Sequence, residues 1–225
     1  MLFRSAGRFH VFPGHRRGEA RAGQIAIRID AGQAFGTGQH ATTRGCLLLL
    51  DRWLKANRPR RLLDLGTGSA VLAIAAARAR PRALVVATDI DAAALGVARH
   101  NARANRAPAI RFARGAGLKG PQLLAAAPYD LVLANILAPP LIALSGAMAS
   151  VVRERGSVIL AGLLAGQESA VRAAYRAQGF RLVTRLGGEW PVLLLARRGR
   201  TLPRGAIVRA ARRGRAADSR SAGTI

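Results

Sequence analysis

The sequence predicts an α/β fold, a doubly wound, mostly parallel seven-stranded sheet with an antiparallel edge hairpin. Two observations carry this. Short apolar runs alternate with alanine-rich or amphipathic runs of helical length, and parallel neighbours need crossover connections, which are usually helices. The last two apolar runs, residues 180–186 and 190–196, are separated only by a turn through Gly187 and Gly188, which suits a hairpin.

In chain order, residues 25–29 (IAIRI) alternate weakly and read as a short strand. From residue 43 to 56 the apolar spacing suits a helix with Thr42 or Thr43 as its N-cap. Residues 61–65 (RLLDL) form a strand stopped by Gly66, Thr67 and Gly68, and an alanine-rich helix follows at 71–77. The unit repeats: a buried strand at 83–87 runs into Thr88 and Asp89, and a helix over 91–105 is capped by Asp91. Asn101 and Asn105 are assigned to the end of that helix. A short strand at 110–112, a loop rich in Gly, Pro and Ala, and an apolar run at 129–134 ending at Asn135 come next. A helix at 141–153, a strand at 157–160, a helix at 167–178 and the hairpin complete the order. The expected organisation is a basic segment over residues 1–24, the folded unit over 25–198, and an arginine-rich tail over 199–225 that lacks apolar periodicity and is expected to be disordered.

With 225 residues, 50% of them hydrophobic, the chain can bury a sizeable core. Its single cysteine, Cys46, cannot form an internal disulfide or a zinc site by itself. No apolar run reaches the roughly 20 residues of a membrane span, and the basic start has no signal-like segment, so the expectation is a cytoplasmic protein away from membranes. The net charge is +25, yet only Lys55 and Lys119 of the 36 basic residues are lysines. Arginines scattered among alanines read first as a compositional bias. Their higher density in the tail adds an expectation of RNA contact, since clustered cations release counterions from phosphate.

Ligands of open α/β sheets bind outside the carboxyl ends of the strands, where strand order reverses. Three loops are therefore candidates. Gly66 and Gly68 would let a ligand approach the backbone at a helix N-terminus. Asp89, 23 residues after Gly66, is placed to accept hydrogen bonds from a ribose diol. Asn135 offers one acceptor and two donors at the mouth. A dinucleotide fingerprint would want glycine where Val71 stands, so a pyrophosphate fits poorly. Asp64 before the turn instead suits a cationic amino group, and S-adenosylmethionine has both that group and the diol.

The chain resembles the class I methyltransferases, whose fold is Rossmann-like, and among them the enzymes that methylate the stalk-base protein of the large ribosomal subunit (protein eleven of that subunit). The resemblance rests on AFGTGQHATT with the following RGCLLLLD, on DLGTGSAVLAIAA, on TDID with the later HNARAN, on DLVLANILA and on GGEW, and covers residues 25–197. It implies that the loop of AFGTGQHATT folds over the cofactor, and that Thr43, Gly66, Asp89 and Asn135 contact it. Gly36 and Gly38 would let that loop close, Phe35 would exclude water, and His40 would hold the loop in place. Transfer to a lysine or α-amino group of a ribosomal protein by a monomeric enzyme follows as the expected activity, with Asn135 orienting the amine. The chain departs from the family pattern at Ala70 and Ala161, and only a short basic segment precedes Ile25, where family members generally carry a recognition domain. Two rival readings stand beside this one. A nucleic-acid or other protein acceptor is one, although Asn135-Ile136-Leu137-Ala138 has no aromatic to stack a planar group; a non-catalytic, basic RNA-binding relative is the other.

Overall fold

The computed structural model describes residues 5–13, 21–30 and 41–199, so the expectations for Phe35, Gly36, Gly38, His40 and the tail beyond residue 199 lie outside the described residues. Strands β1 (Phe9–Pro13) and β2 (Ile25–Ile29) pair in parallel as a small two-stranded sheet. Helix α1 (Ala41–Ala56) leads to β3 (Arg61–Leu65), α2 (Val71–Ala79), β4 (Leu84–Asp89), α3 (Ala92–Ala104) and β5 (Arg111–Arg114). The second half runs α4 (Pro121–Ala126), β6 (Tyr129–Asn135), α5 (Ala138–Ala143), α6 (Ser145–Val151), β7 (Val152–Ala161), a 3-10 turn at Ala165–Gln167, α7 (Glu168–Ala177), β8 (Phe180–Leu186) and β9 (Val192–Arg197).

The large sheet has the order β5-β4-β3-β6-β7-β9-β8, with β9 antiparallel to both neighbours. The chain walks outward from β3 to β5, returns across the sheet to β6 and walks outward again. The carboxyl ends of β3 and β6 therefore flank the switch point. Side-chain alternation sorts the core into two layers, as a pleated strand covered on both faces requires. Leu62, Leu131 and Ile159 face the layer of α1, α2, β1 and β2, whereas Leu63, Val132 and Val158 face the layer of α4 to α7. Each fully buried leucine contributes about 1.5–3 kcal/mol, so these alternating rows supply most of what holds the sheet between its helices.

Several elements differ from the sequence reading. The strand β1 lies in the basic leading segment, and its Phe9 and Val11 join the core. It is tied to α1 by the buried Asp51, which accepts from the Arg8 side chain and pairs with Lys55 at 3.1 Å. Burial pushes the Asp51 carboxyl up, but the hydrogen bonds from Arg8 and Lys55 outweigh it and hold the group below its ordinary range. The helix expected over 141–153 is two short helices that begin earlier, because Pro139 and Pro140 are well suited to a first helical turn. They also end earlier, because Val152 already pairs with Tyr129, and an irregular stretch with Arg155 at φ 61° carries the polar residues into β7. Helix α4 rises from the loop rich in Gly, Pro and Ala. Thr42 and Thr43 lie inside the first turn of α1 and are buried. Among the described residues no helix is long and apolar enough to cross a membrane.

Candidate functional site

Gly66 follows β3 with φ 68°, a conformation that favours glycine, and a Cβ there would come within 2.4 Å of Ile136 Cγ2. The turn after β3 and the turn after β6 thus touch across the switch point. Asp89 joins the same turn from β4: its Oδ2 accepts from the Gly68 N–H at 2.9 Å, and its Oδ1 accepts from the Asp91 N–H at 3.1 Å. The Thr67 N–H donates to the Thr88 carbonyl at 2.9 Å, a second link between the two loops. Of the expected residues, Gly68 and Asp89 are therefore joined by a hydrogen bond, with Gly66 on the same turn, and the half-buried Asp89 keeps lone pairs for a ligand.

Asn135 ends β6 beside Ala161, half-buried, and its side chain makes no hydrogen bond to a described residue. Beyond the end of β7, Gly162 has φ 88°, and a Cβ there would meet the Ile136 carbonyl oxygen at 2.4 Å. The Asn135 turn is wedged between the neighbouring turns. Thr43 lies at the same pole, because a Cβ on Gly45 would come within 2.6 Å of Val192 at the start of β9, which antiparallel pairing places at the carboxyl ends of the other strands. Among the described residues no hydrogen bond joins Thr43 to Asp89 or Asn135, and its part in the site is the expectation from resemblance.

Asp64 has a different task from the one its position suggested. Its carboxylate is buried, and Oδ2 accepts from the Thr67 hydroxyl at 2.6 Å and from the Ala73 N–H at 3.1 Å. It pins the first turn of α2 to the glycine turn. Burial pushes its pKa up to about 6, with the charge of Asp89 adding to the rise and the two hydrogen bonds opposing it. Cys46 is fully buried, and burial, with Asp64 adding, drives its thiol above the ordinary range, so it packs as a small apolar group. Ala70 adopts φ 65° and ψ 19°, left-handed values that favour glycine over alanine.

Three features escaped the sequence reading. Ile90, between Asp89 and Asp91, is 66% exposed, and Leu137 after Asn135 is 70% exposed. Both are apolar, both sit at the site's rim, and an apolar residue wedged between two strand-end acids was the available signal. Asn101 and Asn105 do more than end α3. Asn105 Oδ1 accepts from the Arg28 N–H at 2.8 Å and its Nδ2 donates to the Arg28 carbonyl at 2.6 Å. Asn101 Oδ1 accepts from the Asp30 N–H at 3.0 Å, while its Nδ2 donates to the Asp30 carbonyl at 3.2 Å and the Ser69 carbonyl at 3.0 Å. The two amides act on β2 as a neighbouring strand would, and Asn101 links β2 to the glycine turn.

The model of the family described as ribosomal protein L11 methyltransferase (PrmA) matches residues 3–198. The chain belongs to this family. It is 46% identical over 193 residues to the ribosomal protein L11 methyltransferase of a Caulobacter species, a match covering 85% of this chain and 66% of that protein. With the Bradyrhizobium diazoefficiens relative of the same description it is 50% identical over 196 residues, covering 86% and 66% of the two chains. The chain thus spans just under two thirds of the length of these relatives. The crystal structure of ribosomal protein L11 methylase from Lactobacillus delbrueckii subsp. bulgaricus superposes with a TM-score of 0.78 at 30% identity, over 88% of this chain and 98% of that one. A precorrin-6y C5,15-methyltransferase from Geobacter metallireducens, at TM-score 0.55 and 16% identity, shares the fold alone. The sheet with its antiparallel edge is thus the fold of this methyltransferase family.

Proposed function

We propose that the chain is an S-adenosylmethionine-dependent N-methyltransferase that acts on lysine side-chain or α-amino groups of a large-subunit ribosomal protein. The observation that carries this reading is the Gly66-Gly68-Asp89 unit at the switch point of a chain about half identical to L11 methyltransferases. The donor set fits the cofactor: a carboxylate with free lone pairs for a diol, a glycine turn that admits close backbone approach, and an exposed apolar residue, Ile90, beside the carboxylate for a purine face. Bound there, S-adenosylmethionine supplies an activated methyl group.

The chain's own work is positioning and water exclusion. Asp89 holds the ribose hydroxyls, the Gly66 and Gly68 backbone borders the ligand, and Thr43 contacts it from the start of α1. The Asn135 side-chain oxygen accepts a hydrogen bond from the acceptor amine and aims its lone pair, while Ile136 and Leu137 shield it from water. A lysine at its reference pKa near 10.4 is protonated at neutral pH, so this shielding also favours the neutral amine needed for attack. The methyltransferase unit comprises residues 25–198, with β1 of the basic segment 1–24 packed on it and the arginine-rich stretch 199–225 following in sequence; the working enzyme is a cytoplasmic monomer.

Calorimetric titration of S-adenosylmethionine into wild type and Asp89→Ala, followed by transfer of labelled methyl to purified large-subunit ribosomal proteins, tests the proposal. Micromolar binding weakened by Asp89→Ala, with label appearing on a ribosomal protein, supports it. A folded wild type that binds no cofactor ends it.

A further inference from the structure

The exposed arginines of the large sheet collect at one pole. Apart from β6, each strand has one within three residues of the end that lies opposite the candidate site: Arg61 on β3, Arg82 before β4, Arg111 on β5, Arg155 on β7, Arg181 on β8 and Arg198 just past β9. The antiparallel direction of β9 brings its last residue to the amino ends of the others. Strand β6 instead carries Asp130 as its second residue, which pairs with Arg153 at 2.6 Å and accepts from the backbone N–H groups of Arg60 and Arg61. The opposite pole holds Asp89, Asp91 and Glu168, where Arg185 donates to Glu168 at 2.7 Å and Arg114 to the Ile90 carbonyl at 3.3 Å; at the amino pole, which also carries Glu154, Arg61 and Arg197 likewise donate to backbone carbonyls, those of Ala127 and Val152. Compositional bias explains how many arginines there are. It does not explain their sorting by strand end.

At one edge of this pole the end of α7, the start of β8 and the end of β9 enclose a cleft of about 150 Å³ lined by Arg172, Arg176, Arg181 and Arg198 over Phe180 and Leu195. Arg172 reaches Glu168 at 3.3 Å, whereas Arg176, Arg181 and Arg198 have no carboxylate partner among the described residues. Arg155 and Arg197 extend the same surface beyond Arg198. Unpaired guanidinium groups bind phosphate oxygens through paired donors, and they lose less hydration than an ammonium would on doing so.

We propose that the amino pole of the sheet is a phosphodiester-binding surface that holds folded RNA. Its extent favours RNA over an acidic peptide. Neighbouring strands lie about 4.8 Å apart, so arginines on six of seven strand ends make a row about 30 Å long, a track for a duplex backbone. Recognition of this kind reads backbone shape and charge and needs no base contacts. Because the row faces away from the glycine turn, RNA bound there leaves the candidate site open to a second macromolecule. The inference stands independently of the methyl-transfer reading.

Fluorescence anisotropy of a fluorescein-labelled RNA hairpin, titrated with the full chain at several salt concentrations, tests it. The double variant Arg181→Gln/Arg198→Gln is compared with Arg44→Gln/Arg114→Gln, which removes the same charge at the other pole. The expected result is that the first loses about tenfold or more in affinity and its log-log salt slope flattens by about 1.5, from roughly 0.7–0.9 per phosphate contact. The second should change little. Circular dichroism melts verify that both variants fold. Equal losses in the two doubles, no RNA binding by wild type, or competition by polyglutamate as strong as by unlabelled RNA would each overturn the proposal.

Discussion

The two turns that meet at the switch point are built in opposite ways. After β3 the polar groups are bound to one another: Asp64 holds Thr67 and Ala73, Thr67 holds Thr88, and Asp89 holds Gly68. After β6 the Asn135 side chain has no described partner, and Leu137 stands exposed. The first turn is finished before anything binds. On the proposed reading, the second is left for its ligand to complete. A cofactor is the same molecule in every cycle and rewards a rigid seat, whereas a protein acceptor brings its own donors and apolar surface.

The sharpest way to break this contrast is Asp89→Ala. It strands the Gly68 and Asp91 N–H groups and removes the diol's acceptor; with two charge-assisted bonds lost, cofactor affinity should fall at least about a hundredfold by calorimetry. Asn135→Ala should act on the other half: the methyl-transfer rate drops by about ten- to a hundredfold, while cofactor affinity changes much less. An equal loss in both would mean that the second turn is as much a cofactor seat as the first.

The amide clamp belongs to the finished half, so Asn101→Ala should cost about 2 kcal/mol of stability, since three backbone groups lose a buried partner. The same variant should weaken cofactor binding more than Asn105→Ala does, because only Asn101 reaches the Ser69 carbonyl of the glycine turn. Equal effects of the two substitutions would confine the clamp to β2.

Asp64 sharpens the comparison through pH. Its carboxyl is raised from 3.8 to about 6, so the folded chain binds this proton more tightly than the unfolded chain does. The stability it contributes is complete below the ordinary value and is lost as pH rises through about 6. Asp64→Asn keeps an acceptor oxygen without a titration, so the variant's melting temperature should gain on wild type as pH passes through that window. A constant difference across it would mean that Asp64 is not strained by its burial. The smallest effect is expected at Ala70, whose left-handed backbone costs about 1 kcal/mol. Ala70→Gly should raise the melting temperature slightly, because glycine's extra freedom in the unfolded chain takes back part of that gain.

Much of this was legible beforehand, for a physical reason. Strands buried on both faces, such as residues 129–135, must read as continuous apolar runs, and the residue that stops each run is the one delivered to the ligand pole. Gly66, Asp89 and Asn135 are picked out in that way, and the structure places all three at that pole. What stayed hidden depended on partners far away in sequence. Asp64 looked like a ligand group because nothing local shows that Ala73 and Thr67 will claim its oxygen. Asn101 and Asn105 looked like the polar end of a helix, since their partners lie 71 and 77 residues away. Strand β1 is five residues long in a basic stretch, too short for its alternation to stand out.

The clamp also carries a ruler. Two amides four residues apart on a helix are separated along its axis by about 6.0 Å, and two residues of the same strand face by about 6.7 Å, so one pair of contacts fits with a small tilt. Asn105 meets Arg28 and Asn101 meets Asp30, running in opposite directions. A slip of β2 by one residue would turn its other edge toward the helix, and a slip of two would leave one amide empty. The mismatch that two contacts tolerate would double for a third, so a helix can set a strand's register in this manner over two rungs and no more. The segment that continues from Asp30 toward Thr43 thus starts from a fixed phase, set by a vernier of two different repeats.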